Sequence, residues 1–396
     1  MKLLYVNKGA SPSKFSEYLK KYPEKVQQQA QKYNQLLMEG LAENGAEVIS
    51  LSSRPITRSI DSKLFFKGER ETEKGIEYRY VPFINLPVAR NLFVFMSVFF
   101  RVFTTRARGE KPIVVCDVLN IAASSAAWLG AKLRGFLTVG IVTDVPCYRP
   151  NNTKPSLSEK INLSLIKKFD SFLFLTENMT ELVNPKNRPY IVMEGHADSS
   201  MAGVENTLAG KADKKICLYA GSLRRIYGIG NLTEGFLAAN IPDTELHIYG
   251  SGDYEKELRA VAAQHDNVKY FGVAPNSVIV EEELKATLLI NPRPSNEEYT
   301  KYSFPSKNME YMASGTPVLT TRLPGMPADH LPHVYLIEDE TSDGVKEALL
   351  RVFANSPEAL HAFGAEAKRF ILTEKSNCAQ ARKMLDFIQT IYPKNK

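Results

Sequence analysis

Short apolar runs separated by helical patterns recur along the whole chain. Leu3–Val6, Val48–Leu51, Ile113–Cys116, Leu137–Val142, Phe172–Leu175 and Tyr190–Met193 form one series. Ile216–Ala220, Leu246–Tyr249, Val268–Phe271, Leu288–Asn291 and Val318–Thr321 form a second. Each run is short and β-rich, which predicts strands buried on both faces. Such strands alternating with helices predict parallel sheets and right-handed βαβ units. The polar segment Asp198–Asp213 lacks strong periodicity and marks the break between the series. The expected fold class is α/β, with two doubly wound Rossmann-like domains facing a cleft. The N-terminal domain is placed at 1–198 and the C-terminal domain at 199–375. An amphipathic pattern near Asn377–Tyr392 predicts a helix in 376–396 that could return to the N-terminal domain.

One segment departs from this alternation. Leu92–Phe103 is apolar on all sides, with Arg101 inside it and Arg90, Arg106 and Arg108 around it. It is too short to span a bilayer. It reads either as a core helix or as a helix dipping into a membrane interface, for which Arg101, Arg106 and Arg108 would be the anionic-lipid contacts. The start, Met1-Lys2-Leu3-Leu4-Tyr5-Val6, reads as a first strand rather than a secretory signal. Cys116, Cys147, Cys217 and Cys378 lie far apart with no metal-type spacing, which suits a reducing cytoplasm. The six histidines form no metal motif. Charge is uneven. Residues 1–198 hold 28 Lys+Arg and 19 Asp+Glu, a balance of +9, and the remainder holds 22 and 25, a balance of −3. A basic half suits an anionic partner, such as membrane lipid or a lipid diphosphate, or simply aids solubility. It shows no aromatic–basic interleaving, so a nucleic-acid partner is not expected.

Candidate chemistry concentrates in the second half. Ser303-Phe304-Pro305 reads as a turn, followed by a helix that starts near Ser306, carries Glu310 and stops at Gly315. A helix N-terminus has unpaired N–H groups and favours a phosphate. Lys307 would add charge there, and Glu310 would accept hydrogen bonds from ribose or sugar hydroxyls. The plain alternative is a capped helix with Lys307 and Glu310 solvated. Gly221-Ser222-Leu223-Arg224-Arg225 follows a strand, which places an arginine pair at a strand end. Gly250 and Gly272 end two further strands, where glycine allows close backbone approach to a ligand. No G-x-G-x-x-G follows the first strand, and no P-loop or G-x-S-x-G occurs. Near this segment no Asp-x-Asp metal motif is seen, so no metal and no cofactor are expected. In the first half, Asp144 follows the strand Leu137–Val142 and could orient or deprotonate an acceptor hydroxyl, or simply cap a turn.

These residues together resemble the group 1, or family 4, retaining glycosyltransferases of GT-B fold. The match runs through Tyr219-Ala220-Gly221-Ser222-Leu223, Tyr227-Gly228-Ile229, His247-Ile248-Tyr249-Gly250-Ser251-Gly252-Asp253, Phe271-Gly272 and Phe304-Pro305-Ser306-Lys307 with Glu310 through Val318. It is strong over 215–325 and diffuse over 1–200. The resemblance implies that Glu310 binds the donor ribose and that Ser303, Phe304, Pro305 and Ser306 hold the diphosphate through backbone amides. Phe271, Gly272 and Val273 would bracket the nucleobase, and Gly221 and Ser222 would lie under the phosphates. Three positions depart from the family pattern. Tyr302 stands where a first glutamate is usual, and Ser222 and Tyr227 stand where Arg and Lys are usual. Arg224, Arg225 or Lys307 would then supply the positive charge. A subgroup of bacterial polysaccharide transferases shows the same departures.

The expected activity is metal-independent, retaining transfer of a sugar from a nucleotide-sugar donor to a glycan or lipid-linked acceptor. The expected location is cytoplasmic, with peripheral attachment to the inner face of the cell membrane as an option. A sugar-nucleotide epimerase of the same fold and a non-catalytic nucleotide-sugar-binding subunit are the alternatives.

Overall fold

Branched apolar runs become parallel strands in both halves of the chain, because each is covered by helices on both faces. The structure is a computed structural model that describes residues 1–22, 29–107, 110–146 and 155–392. The chain divides into two units, Met1–His196 with Asn377–Lys396, and Ala197–Ser376.

The first unit contains β1 (Lys2–Asn7), β2 (Glu47–Ser52), β3 (Phe65–Phe66), β4 (Glu69–Glu73), β5 (Ile76–Tyr80), β6 (Phe83–Ile84), β7 (Ile113–Asp117), β8 (Thr138–Val142), β9 (Ser171–Phe174) and β10 (Tyr190–Val192). Its helices are α1 (Pro12–Lys21), α2 (Gln29–Glu43), α3 (Pro87–Phe103), α4 (Ile121–Arg134), α5 (Leu157–Ile166) and α6 (Met179–Val183). The sheet order is β10-β9-β8-β7-β1-β2-β5-β4, parallel except for the β4–β5 hairpin. β4 reads Glu-Arg-Glu-Thr-Glu and has no apolar face to announce it. As an edge strand it needs none, and its charges discourage pairing with another chain.

Helix α3 is one-sided. Val94, Val98 and Val102 are buried, while Leu92, Phe93, Met96, Phe100 and Phe103 are exposed. The apolar run is therefore not wholly interior. A side chain added at Gly130 of α4 would touch the Phe99 carbonyl and Val102 at 3.2 Å, so α3 lies close against α4. No helix among the described residues is long and apolar enough to cross a membrane.

The second unit contains β11 (Lys215–Ala220), β12 (Thr244–Tyr249), β13 (Val268–Gly272), β14 (Leu288–Asn291), β15 (Val318–Thr321) and β16 (Tyr335–Ile337). Helices α7 (Ile229–Ala239), α8 (Glu255–Gln264), α9 (Asn276–Lys285), α10 (Ser306–Ser314), α11 (Ser342–Phe353) and α12 (Pro357–Glu374) cover it. The order β13-β12-β11-β14-β15-β16 is wholly parallel. Alternate residues of β11 serve opposite cores. Cys217 and Tyr219 join one, and Ile216, Leu218 and Ala220 join the other. The strand order reverses between β11 and β14, so the crevice beyond their carboxyl ends is the ligand position of such a sheet.

The chain ends in α13 (Asn377–Ile391), which belongs to the first unit. Met384, Leu385 and Ile388 share a core with Leu37 and Leu41 of α2. Asn44 Nδ2 donates to the Cys378 carbonyl (2.9 Å), and Asn377 Nδ2 donates to the Leu36 carbonyl (3.2 Å). Cys116 and Cys217 are buried free thiols and Cys378 is half-buried; Cys147 lies outside the described residues.

Candidate functional site

Two loops meet at the switch crevice of the second unit. One follows β11, and the other runs from β14 to α10. Tyr311 of α10 ties the end of β11 to that helix. Its hydroxyl accepts from the Ala220 N–H (2.8 Å) and donates to the Ala220 carbonyl (3.2 Å), both at the end of β11. Burial pushes the Tyr311 phenol far up, so it stays a neutral donor. Asn308 fixes α10 to the next strands. It accepts from Asn291 Nδ2 (2.7 Å) and donates to Thr320 Oγ1 (3.3 Å). Both residues are fully buried, which sets the position of the helix start.

That start is bare. Pro305 occupies the cap position, and no side chain accepts from the first-turn N–H groups. Ser306 is exposed beside them. Helix α10 ends at Gly315 in the left-handed conformation (φ 83°). Lys307 and Glu310, one turn apart, lie 3.5 Å from each other as a partly exposed ion pair. Phe304 is buried edge-on against His330 (5.4 Å). Tyr302, at the position of the usual first glutamate, is buried as well.

The cation best placed at this crevice is one that sequence reasoning passed over. Arg293 follows β14. It donates to Ser303 Oγ (3.0 Å), and its guanidinium lies over the rings of Tyr227 (5.3 Å) and Tyr299 (4.8 Å). Arg224 approaches the same Tyr227 ring at 5.6 Å. Among the described residues neither arginine has an ion-pair partner. Tyr227 thus gathers two uncompensated guanidinium groups instead of supplying a charge itself. The sequence signal was present: an arginine two residues beyond a strand end, in Asn291-Pro292-Arg293.

Arg225, an expected phosphate ligand, turns away. Its guanidinium pairs with Glu257 of α8 and lies over Tyr254 (5.5 Å), and its N–H donates to Asp253 Oδ1 (2.7 Å). The structure puts Arg224, not Arg225, on the Tyr227 side.

The glycine turns are stitched together strand by strand. The Gly221 N–H donates to the Tyr249 carbonyl (3.0 Å), and the Gly250 N–H donates to the Gly272 carbonyl (2.8 Å). Gly250 (φ 128°) admits no side chain, because a Cβ would overlap the Gly221 carbonyl oxygen. Ser222 is exposed. At the end of β13, Phe271 stacks on Tyr249 (4.8 Å, 12°) and is about half exposed, and Val273 is more exposed still. The structure therefore groups Gly221, Ser222, Tyr227, Ser303 and Ser306 around the crevice. Phe271, Gly272 and Val273 stand two strands away at its rim.

In the first unit, Asp144 is half-buried just past β8. Arg101 is half-buried in α3, Arg106 is exposed, and Arg108 lies outside the described residues.

Comparison with known proteins agrees with this geometry. Residues 214–355, within the second unit, match the family model of the group 1 glycosyl transferases. No curated protein sequence matches the chain. The fold is GT-B, two Rossmann-like units. The chain is similar over 99% of its length to 99% of sucrose-phosphate synthase from Thermosynechococcus elongatus, at 15% identity and a TM-score of 0.69. It is similar over 98% of its length to all of HepE from Anabaena, solved with UDP and glucose, at 13% identity and a TM-score of 0.64. It is similar over 99% of its length to all of the lipopolysaccharide outer core galactosyltransferase WaaB, at 16% identity and a TM-score of 0.62.

Proposed function

We propose that the chain is a retaining glycosyltransferase. It moves a sugar from a nucleotide-diphosphate donor to an oligosaccharide or lipid-linked acceptor in bacterial polysaccharide or cell-surface glycan synthesis. The observation that carries this reading is the second unit's crevice, where Arg224 and Arg293, with no acidic partner among the described residues, share the Tyr227 ring, and Arg293 bonds Ser303 just before the uncapped start of α10. That arrangement suits the diphosphate of a nucleotide-sugar, whose developing charge on bond cleavage is met by preoriented N–H donors and guanidinium groups. These groups supply the charge in this reading, so no metal ion or cofactor is required. Glu310 accepts from ribose hydroxyls, and Phe271 with Val273 offers an apolar rim for a base. The first unit binds the acceptor, with Asp144 at the end of β8 as the group that receives the hydroxyl proton.

The reading extends to the membrane. The exposed face of α3 presents Phe93, Met96, Phe100 and Phe103 to solvent, and Leu133 of α4 is exposed beside it. Arg134 of α4 lies over Phe103 (5.9 Å), so cations fringe the apolar face. This suits peripheral attachment to an anionic leaflet, where a lipid-linked acceptor is met.

The test is release of nucleoside diphosphate from a panel of nucleotide-sugars, with and without acceptor-bearing membranes. One donor should give release that rises with membranes. Binding without release would favour the non-catalytic subunit, a reading kept open by the Lys307–Glu310 pair and by Tyr302. Absence of nucleotide binding would overturn both.

A further inference from the structure

The first unit has a strand-order reversal of its own, between β1 and β7. Lys8 follows β1 and is exposed. Asp117 ends β7, accepting from the Leu119 N–H (3.2 Å) and from Asn34 Nδ2 (3.3 Å). Asn34 is held in turn by the Tyr5 hydroxyl (2.8 Å). Arg90, in the first turn of α3, donates to the carbonyls of Ser53 (3.2 Å) and Arg54 (3.1 Å), which follow β2. Asn120, after β7, donates to Ser53 Oγ (2.9 Å). Because β1 lies between β2 and β7, that last bond passes beyond the end of β1 and its Asn7-Lys8-Gly9 turn.

The charges at this rim do not balance. Lys8 lies within electrostatic reach of both Arg90 and Asp117. Among the described residues neither Lys8 nor Arg90 has an ion-pair partner. Arg90 Nε is buried and makes no hydrogen bond. Burial raises the Asp117 carboxyl while the Leu119 N–H, Asn34 and Lys8 pull it back down, and this single carboxylate faces two cations. Neighbouring like charges repel, and a bound anion would remove that cost. A carboxylate beside an anion site accepts hydrogen bonds from ligand hydroxyls.

We infer that this rim binds a compound bearing both a phosphoryl group and sugar-type hydroxyls, with Lys8 and Arg90 on the phosphoryl oxygens and Asp117 on a hydroxyl. The inference rests on the reading of the first unit as the acceptor side, and it names that acceptor's chemistry. The phosphoryl group belongs either to a free sugar phosphate or to a lipid headgroup.

Calorimetry on the full chain with glucose 6-phosphate, inorganic phosphate and glucose tests the first source. Co-sedimentation with vesicles of phosphatidylglycerol in phosphatidylcholine tests the second. Glucose 6-phosphate should bind more tightly than glucose. Lys8→Gln and Arg90→Gln should each weaken it about tenfold, the loss expected of one charge-assisted contact, and Lys8→Arg should retain it. Asp117→Asn should weaken glucose 6-phosphate more than inorganic phosphate. UDP affinity should be unchanged in Lys8→Gln. Vesicle binding that falls in Lys8→Gln, without soluble sugar-phosphate binding, would assign the lipid source. If Arg90→Gln fails to fold, Lys8→Gln decides, since that side chain is exposed. Sugar-phosphate and vesicle binding that both survive Lys8→Gln, or that are both absent, would overturn the inference. UDP binding in such a case would leave the donor reading intact. Loss of UDP binding in the wild type alone would sink the donor reading and not this one.

Discussion

Arg293 reaches Ser303 and two tyrosine rings from a strand end, while Arg225 spends its charge on Glu257. Arg293→Ala should therefore weaken UDP about tenfold or more, the loss of a charge-assisted contact. Arg225→Ala should stay within about twofold, because an exposed ion pair contributes little. Calorimetric titration of both variants with UDP checks the contrast, and equal effects would remove Arg293 from the site. Lys211 gives a separate readout. Its ammonium donates to the carbonyls of Leu284 (2.9 Å) and Ala286 (2.8 Å) and to Thr316 Oγ1 (2.9 Å), and burial lowers its pKa to about 8. The unfolded chain binds this proton up to the ordinary lysine value, so the unfolded state holds more protons between these limits. Stability should rise with pH from about 8 toward 10. Thermal melts of wild type and Lys211→Met across that window should show the slope reduced in the variant.

At the scale of elements, α10 is useful because it is held rigidly. Tyr311→Phe removes two hydrogen bonds to Ala220 without changing the ring. It should cost about 1–3 kcal/mol, since it leaves buried backbone groups short of a partner. It should also weaken UDP, because the helix start is set by that anchor. A lowered melting temperature with unchanged UDP affinity would separate the anchor from the site. Helix α3 behaves differently. Met96→Glu and Phe100→Glu change exposed positions, so the melting temperature should hold, while pelleting with anionic vesicles should be lost. Loss of folding instead would show that this face is covered within the protein.

For the whole molecule, the two units differ in charge more sharply than the two halves of the sequence. The first unit holds 32 Lys+Arg and 19 Asp+Glu, and the second holds 18 and 25. The acidic unit nevertheless carries the crevice proposed to take a diphosphate, so local placement of Arg224 and Arg293 outweighs net charge there. Units with separate cores can unfold separately. UDP at about a hundred times its Kd should stabilise one transition by about 2.7 kcal/mol and leave the other near its original temperature. Calorimetric scans with and without UDP check this. A shift in the transition of the first unit alone would place the nucleotide on the wrong unit.

Period and composition determined the strand series, the α/β class and the helix that begins at Ser306, because these follow from local burial patterns and end signals. The motif residues from Gly221 to Val318 were likewise legible, since their order lies in one stretch of chain. The edge strand β4 was not, because an edge needs no apolar face. Nor was the division of labour among arginines. Arg224, Arg225 and Arg293 are alike in sequence, and only the side-by-side pairing of β11 and β14 set two of them on Tyr227, while packing against α8 turned the third to Glu257. The one-sided burial of α3 was equally hidden, since large apolar residues ring the helix and only a packed neighbour decides that Val94, Val98 and Val102 are covered while Phe93, Met96 and Phe100 are not. Side-chain direction and cross-chain pairing are long-range facts, and they belong to the tertiary structure.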